Sequence, residues 1–162
     1  MYFLKYGAEL KSIMGPLLIG AAISLSLSPK PTRAQTMVTP TGLSIDGFQV
    51  SCLGAPTYLV GSELGDVAYA SPGAIYINQG AFNAYSTGVK AFMYAHECGH
   101  VVYGSNENTA DEFAIKIGRN QGWITPVVLN QICTSIIGTP GNWTHLPGPA
   151  RCAMIKYYYN HP

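Results

Sequence analysis

The sequence contains few charged residues. Only 10% of its 162 residues are charged, about half the fraction usual in globular proteins, and the formal net charge is +1. This near-neutral balance excludes a basic protein that binds nucleic acid, and the 48% share of hydrophobic residues excludes a charge-rich disordered chain. The length suffices for one domain with its own hydrophobic core. We therefore expect a single folded domain without a nucleic-acid partner.

Apolar runs long enough to span a membrane are absent from the sequence after residue 34. The preceding part differs, because Lys5 and Lys11 come before a short apolar run that begins at Ile13, and small residues follow up to Ala34. This order is typical of a secretory signal peptide. We expect residues 1–34 to be cleaved off and the mature protein to be exported to the periplasm or secreted, without a membrane partner. An uncleaved membrane anchor is the alternative.

No two of the four cysteines are closely spaced as in CxxC, which disfavours a zinc site built from thiolates. An even number of cysteines in an exported chain predicts two disulfides, and four cysteines allow three pairings. Cys133 and Cys152 lie on the last two predicted helices, so we expect these two to pair. The pair Cys52 and Cys98 then follows by elimination.

Segments typical of strands come before segments typical of helices, and this order predicts an α+β fold. The Thr-, Pro- and Gly-rich stretch 35–46 is predicted to be a flexible lead-in, and 47–162 a single domain. Val-, Ile- and Tyr-rich segments separated by turn residues predict a short antiparallel sheet with strands at 47–52, 57–60, 67–70 and 74–78. About four helices are expected to follow, at 88–103, from 107 or 109 to 120, from 126 to just before 138, and at 149–159.

The first of these helices, the central one, contains the HExxH motif His96-Glu97-Cys98-Gly99-His100. Positions four apart share a helix face, so His96 and His100 can present two imidazole nitrogens to one Zn²⁺ and leave Glu97 beside it. With four His and five Glu in the chain, roughly 0.003 accidental matches are expected. The motif therefore predicts a catalytic zinc site with Glu97 as general base.

A catalytic zinc site usually has three protein ligands, and the segment that starts the next helix offers the third. Glu107 and Asp111 are four residues apart, so they share one face of that helix. We expect Glu107 to bind the metal and Asp111 to accept a hydrogen bond from one of the ligating histidines. Asp111 as the third ligand is the alternative. His145 and His161 are isolated in the sequence, which predicts a surface or loop position rather than a ligand role for each.

The pair of motifs, HExxH followed by ExxxD, resembles the gluzincin zinc metallopeptidases and small exported bacterial relatives of that family. The resemblance covers about residues 92–114. It implies a zincin-like domain with zinc on His96, His100 and Glu107, Glu97 as general base and acid, and Asp111 as the supporting carboxylate. It also implies that one strand before the helix borders the cleft and pairs with an extended peptide, and 74–78 is the expected strand.

The resemblance and the residues together predict an exported zinc-dependent metallopeptidase that acts on a peptide or protein substrate. Two alternatives belong to other classes. The chain could be a non-catalytic exported module that binds zinc or a partner. It could also be a zinc hydrolase of a non-peptide amide, because the motif reports the metal and the base but not the substrate.

Overall fold

Short segments rich in Val, Ile, Leu and Tyr form the strands, and the longer segments after residue 86 form helices. The computed structural model describes residues 36–38, 42–61 and 64–161. The strands are β1 (Thr36–Val38), β2 (Leu43–Ile45), β3 (Phe48–Val50), β4 (Thr57–Val60), β5 (Ala68–Ser71) and β6 (Ala74–Asn78). The helices are α1 (Gln79–Phe82), α2 (Thr87–Tyr103), α3 (Glu107–Asn120), α4 (Pro126–Ile136) and α5 (Gly148–Asn160).

The order of strands followed by helices confirms the α+β prediction. Helices α2 to α5 are the four expected helices, and the single-turn helix α1 is an addition that the sequence did not indicate. The expectation of a flexible lead-in at 35–46 is wrong where β1 and β2 form. Leu43 and Ile45 of β2 are buried, because the alternation of apolar and polar residues there turns one strand face towards the core. The predicted signal peptide, residues 1–34, lies outside the described residues.

The strands form two sheets. The larger has the order β1-β4-β6-β5, and β2 pairs antiparallel with β3 in the smaller. The expected antiparallel pairing holds for β5 with β6, whereas β4 and β6 are parallel. The strand β1, which the sequence did not predict, pairs antiparallel with β4. Two turn residues, Pro72 and Gly73 (φ 80°), join β5 to β6 in a hairpin. The strands β4 and β6 take the two inner positions, and in β6 Ile75 and Ile77 are fully buried.

The helix α2 lies between two apolar clusters. Phe92 and Val89 on one side pack with residues of α3, α4 and α5. Tyr94 and Cys98 on the other side pack against the strands, and the Tyr94 hydroxyl lies 2.9 Å from Thr57 Oγ1 in a buried hydrogen bond. Burial of both faces explains why this helix carries apolar residues almost all round.

Two disulfides connect the elements around this core. Cys52–Cys98 ties the segment after β3 to α2, and Cys133–Cys152 ties α4 to α5. These are the two pairs expected from the sequence. Structural disulfides indicate an oxidising compartment outside the cytoplasm. Within the described residues, none of the helices combines the length and the apolar character that crossing a bilayer requires.

Helices α2 and α3 touch each other at Gly99. A Cβ atom built on Gly99 would lie 2.8 Å from Ala110 Cα, closer than non-bonded carbon atoms approach, and Ala110 is fully buried. Only glycine at position 99 therefore allows α3 to pack this closely against α2. The short distance between the two helices determines which of their side chains come into contact.

We predict that Gly99→Ala destabilises the fold. Overpacking costs about 1–3 kcal/mol, and the obstacle here is the backbone of Ala110, so the cost should exceed the roughly 1 kcal/mol that alanine gains over glycine in a helix. Urea unfolding of the metal-free protein should show a lower free energy of unfolding. Gly138→Ala is the control, because no atom lies within 4 Å of its added Cβ. Equal stability of wild type and Gly99→Ala would contradict the close approach.

Candidate metal centre

His96 and His100 lie one turn apart on the same face of α2. Their Nε2 atoms are 3.1 Å apart, and the two rings stand almost perpendicular, at 89°. His96 is 5% exposed, so its imidazole lies inside the protein next to Phe92. The helical spacing therefore brings two ring nitrogens to one point, as the HExxH motif predicts.

The start of α3 brings a carboxylate to the same point. The chain reverses after α2 at Gly104 (φ 85°), and the Asn106 side chain caps α3 by accepting a hydrogen bond from Thr109 N. Glu107, the first residue of α3, then places its Oε2 atom 3.1 Å from His96 Nε2 and 3.3 Å from His100 Nε2. Glu107, and not Asp111, faces the pair of Nε2 atoms.

A third imidazole comes from the loop between α4 and α5. His145 Nε2 lies 2.9 Å from Glu107 Oε2, and donor atoms of His96, Glu107 and His145 all lie within 4.8 Å of one another. His145 lies in a loop, as the sequence predicts, but its side chain reaches the site, whereas the sequence favoured no ligand role for it. His145 is far along the chain from the HExxH motif, so no periodic spacing in the sequence connects it with the site. His161 stays at the exposed end of α5, beside Tyr157 O.

The opposite ring nitrogen of each histidine has its own hydrogen-bond partner. His96 Nδ1 lies 2.8 Å from Asp111 Oδ1, and His100 Nδ1 lies 2.9 Å from the carbonyl oxygen of Gly104. A carbonyl oxygen and an ionised carboxylate only accept hydrogen bonds, so both Nδ1 atoms carry the proton. When both imidazoles are neutral, this arrangement turns their Nε2 lone pairs towards Glu107, and that is the tautomer that binds a metal.

His145 is oriented in the same way. Its Nδ1 atom lies 2.9 Å from Thr144 Oγ1, and that hydroxyl donates to Asn142 Oδ1 at 2.9 Å. Because the hydroxyl proton is used towards Asn142, Thr144 Oγ1 accepts from Nδ1, and the lone pair of His145 is on Nε2. Burial lowers the pKa of His145, which favours the same neutral form.

Arg151 of α5 supports Asp111. Its Nε and Nη2 atoms donate to the two oxygens of Asp111 at 2.8 and 2.7 Å, and Asp111 is 2% exposed. Burial raises the pKa of Asp111, but the hydrogen bonds from Arg151 and His96 lower it more, so this carboxylate stays ionised. No motif of the sequence pointed to Arg151.

The donor arrangement favours a positive charge at its centre, which either a proton or a metal ion would supply. Glu107 Oε2 is buried and, within the described residues, has no hydrogen-bond partner, although three imidazole nitrogens lie within 3.3 Å. Burial lowers the pKa of His96, yet the carboxylates of Asp111 and Glu107 raise it, to about 9. In a tetrahedral zinc site, donors at 2.0–2.1 Å are separated by about 3.3 Å. The residues present therefore fit a metal ion.

Glu97 and the edge strand β5 border a cleft of about 790 Å³ that also contains His96, His100 and His145. Burial raises the pKa of Glu97, while His96 and His100 act in the opposite direction. The expectation that 74–78 borders the cleft is wrong, because β6 lies between β4 and β5 and the edge strand is β5.

Comparison with known protein families, with curated proteins and with solved structures finds no match to this chain. The fold and the site themselves define an α+β domain with a His–Glu–His group that could hold a metal ion.

We predict that the chain binds one divalent metal ion. His96→Ala and His100→Ala should each reduce the metal retained after dialysis to well below one ion per chain, because each removes an imidazole donor from a buried site. Elemental analysis of the dialysed protein measures this. His161→Ala, which removes an exposed histidine far from Glu107, should retain the metal. Full metal content in His96→Ala would contradict the assignment.

We predict that Asp111→Asn weakens metal binding by about 10- to 100-fold without changing the stoichiometry, since it replaces the partner that orients His96. Competition with a chelator measures the affinity. Glu112→Gln is the matched control, because Glu112 is a neighbouring carboxylate that pairs at the surface with Lys116 at 2.7 Å. Equal affinity in wild type and Asp111→Asn would show that the hydrogen bond to His96 does not act on the metal.

Proposed function

We propose that this protein is an exported zinc-dependent metallopeptidase. The observation that carries the proposal is the buried Glu107 Oε2 surrounded by imidazole Nε2 atoms, in a cleft that also contains Glu97. Imidazole and carboxylate donors at these separations suit zinc among the common divalent metals. The resemblance of the paired motifs to gluzincins supports the same conclusion.

A zinc ion held by His96, His100 and Glu107 would supply the acidity that activates a water molecule and polarises the scissile carbonyl. Glu97 accepts a proton from the attacking water and passes it to the nitrogen of the leaving amine. The carbon–oxygen bond forms as the proton leaves the water, and the carbon–nitrogen bond breaks as the amine receives it. Burial raises the pKa of Glu97, which suits a group that must both take and release this proton.

The cleft offers a place for an extended peptide. Among the residues that the structure describes, the strand β5 pairs with β6 on one side only, and its residues line the cleft. A peptide main chain can add to such an edge as a further strand. Phe92 and Met93 on α2 give the cleft an apolar wall for a substrate side chain.

Two features support export. The order of residues in 1–34 is that of a cleavable signal peptide, and two disulfides suit a compartment outside the cytoplasm. The proposed mature protein would act in the periplasm or the medium.

His145 favours a second candidate function. A site with four protein donors is closed, as in structural zinc sites, and His145 is in place as the fourth donor next to Glu107. In that case the chain would be a non-catalytic module in which the metal holds α2, α3 and the loop before α5 together. A zinc hydrolase of a non-peptide amide would use the same residues as the peptidase.

We predict that Glu97→Gln retains the metal and lowers kcat/KM for peptide hydrolysis by about 10²- to 10⁴-fold, because glutamine cannot carry the proton. The measurement is cleavage of a diverse peptide library, followed by kinetics on the best substrate and a metal assay on each variant. Glu112→Gln should behave as wild type.

Two outcomes would reject the peptidase. Wild-type rates in Glu97→Gln would rule out the proposed base. A wild-type protein that holds one zinc per chain and cleaves no peptide of the library would favour the binding module, and cleavage of amide substrates alone would favour the other hydrolase.

A further inference from the structure

The loop that carries His145 is held together mainly by its own hydrogen bonds. Asn142 Oδ1 accepts from Thr144 N, Thr144 Oγ1 and His145 N at 2.9, 2.9 and 2.8 Å. Asn142 N donates to His145 O at 3.0 Å, and Gly148 N donates to Thr139 O at 2.9 Å where the ends of the loop meet. Residues 139–148 therefore form a closed loop with an internally fixed turn, which we call the His145 loop.

The His145 loop has few contacts with the rest of the protein. In the part of the chain that the structure describes, the hydrogen bonds of residues 140–146 stay inside the loop. Residues 139–147 belong to neither apolar cluster, and Trp143 at the tip is fully exposed. The polar contact that leads outwards is His145 Nε2 with Glu107 Oε2, at 2.9 Å. Breaking this one contact would leave the internal turn intact.

The other three donors are held firmly. His96 and His100 lie on α2, which is packed between two apolar clusters, and Glu107 begins α3, which touches α2 at Gly99. His145 differs from them, since its side chain is 36% exposed and its loop is outside both clusters. Of the four donors, His145 is the one that can leave without disturbing the core.

We infer that His145 is a displaceable fourth metal donor, which closes the site in the resting protein and withdraws with its loop to open a coordination position. A catalytic zinc keeps three protein ligands and one open position, whereas four protein ligands leave no place for water. The effect on catalysis rests on the proposed function. The role of His145 as a donor does not, because it follows from the position of its Nε2 atom at Glu107.

The test compares wild type with His145→Ala, and Trp143→Ala serves as the control on the same loop. Zinc affinity, measured by chelator competition, should fall by about 10- to 100-fold in His145→Ala while one ion per chain is retained, as expected for a weakened but intact site. Acetohydroxamic acid, titrated into the cobalt-loaded proteins and followed by visible absorption, should bind His145→Ala about tenfold or more tightly. The reason is that the hydroxamate does not have to displace the His145 imidazole in this variant. Trp143→Ala should match wild type in both measurements.

A second variant opens the loop and keeps the histidine. Gly141 has φ 78°, and a Cβ built there would lie 2.6 Å from Pro147 N, so Gly141→Ala forces the His145 loop to change shape. It should shift zinc and hydroxamate binding in the same directions as His145→Ala. If His145→Ala matches wild type in both measurements, His145 is no donor. If His145→Ala loses the metal altogether, His145 is a permanent ligand, and the inference is equally overturned.

The same proteins separate this inference from the proposed function. Peptide hydrolysis that is faster in His145→Ala than in wild type, together with the two binding shifts, supports both. The two binding shifts without any peptide hydrolysis support the donor role and reject the peptidase. Hydrolysis that depends on Glu97, with binding unchanged in His145→Ala, supports the peptidase and rejects the displaceable donor.

Discussion

A buried carboxylate oxygen that faces three imidazole nitrogens is the constraint on which the rest of this structure depends. Glu107 Oε2 lies among three imidazole Nε2 atoms, and the opposite nitrogen of each ring is hydrogen-bonded to Asp111, Gly104 O or Thr144. Acceptors packed this closely repel one another unless a cation or a proton lies between them. The raised pKa of His96 reflects the same demand for positive charge. The fold keeps these donors together despite that repulsion.

Most of the structure around the site serves to fix the helix α2. Its two faces are buried in separate apolar clusters, and the disulfide from Cys98 ties the face away from the site to the segment after β3. Glycine at position 99 lets α3 approach, so that Glu107 reaches the two histidines. Arg151 is the neighbour of Cys152, and the disulfide from Cys152 to α4 therefore also fixes the pair with Asp111. Rigid packing thus sets the geometry of three donors.

The sequence predicts the features that depend on local spacing. The interval between His96 and His100, the interval between Glu107 and Asp111, and the bounds of most helices and strands follow from periodicity and turn residues. Other features arise from contacts between distant segments. The parallel pairing of β4 and β6, the edge position of β5, and the arrival of His145 and Arg151 at the site are set by how the elements pack, and a single sequence carries no local signal for them.

The distribution of the donors between packed helices and a self-contained loop bears on the choice between a peptidase and a structural zinc module. A structural metal site stabilises a fold most when each of its ligands comes from an element that is otherwise weakly attached to the rest of the protein. Here α2 and α3 already meet in a dense core, and the His145 loop keeps its shape through its own hydrogen bonds. A fourth ligand would therefore add little to the stability of either part. It would, however, control access to a cleft that contains Glu97 and the edge of β5, and that consequence favours a reaction at the site.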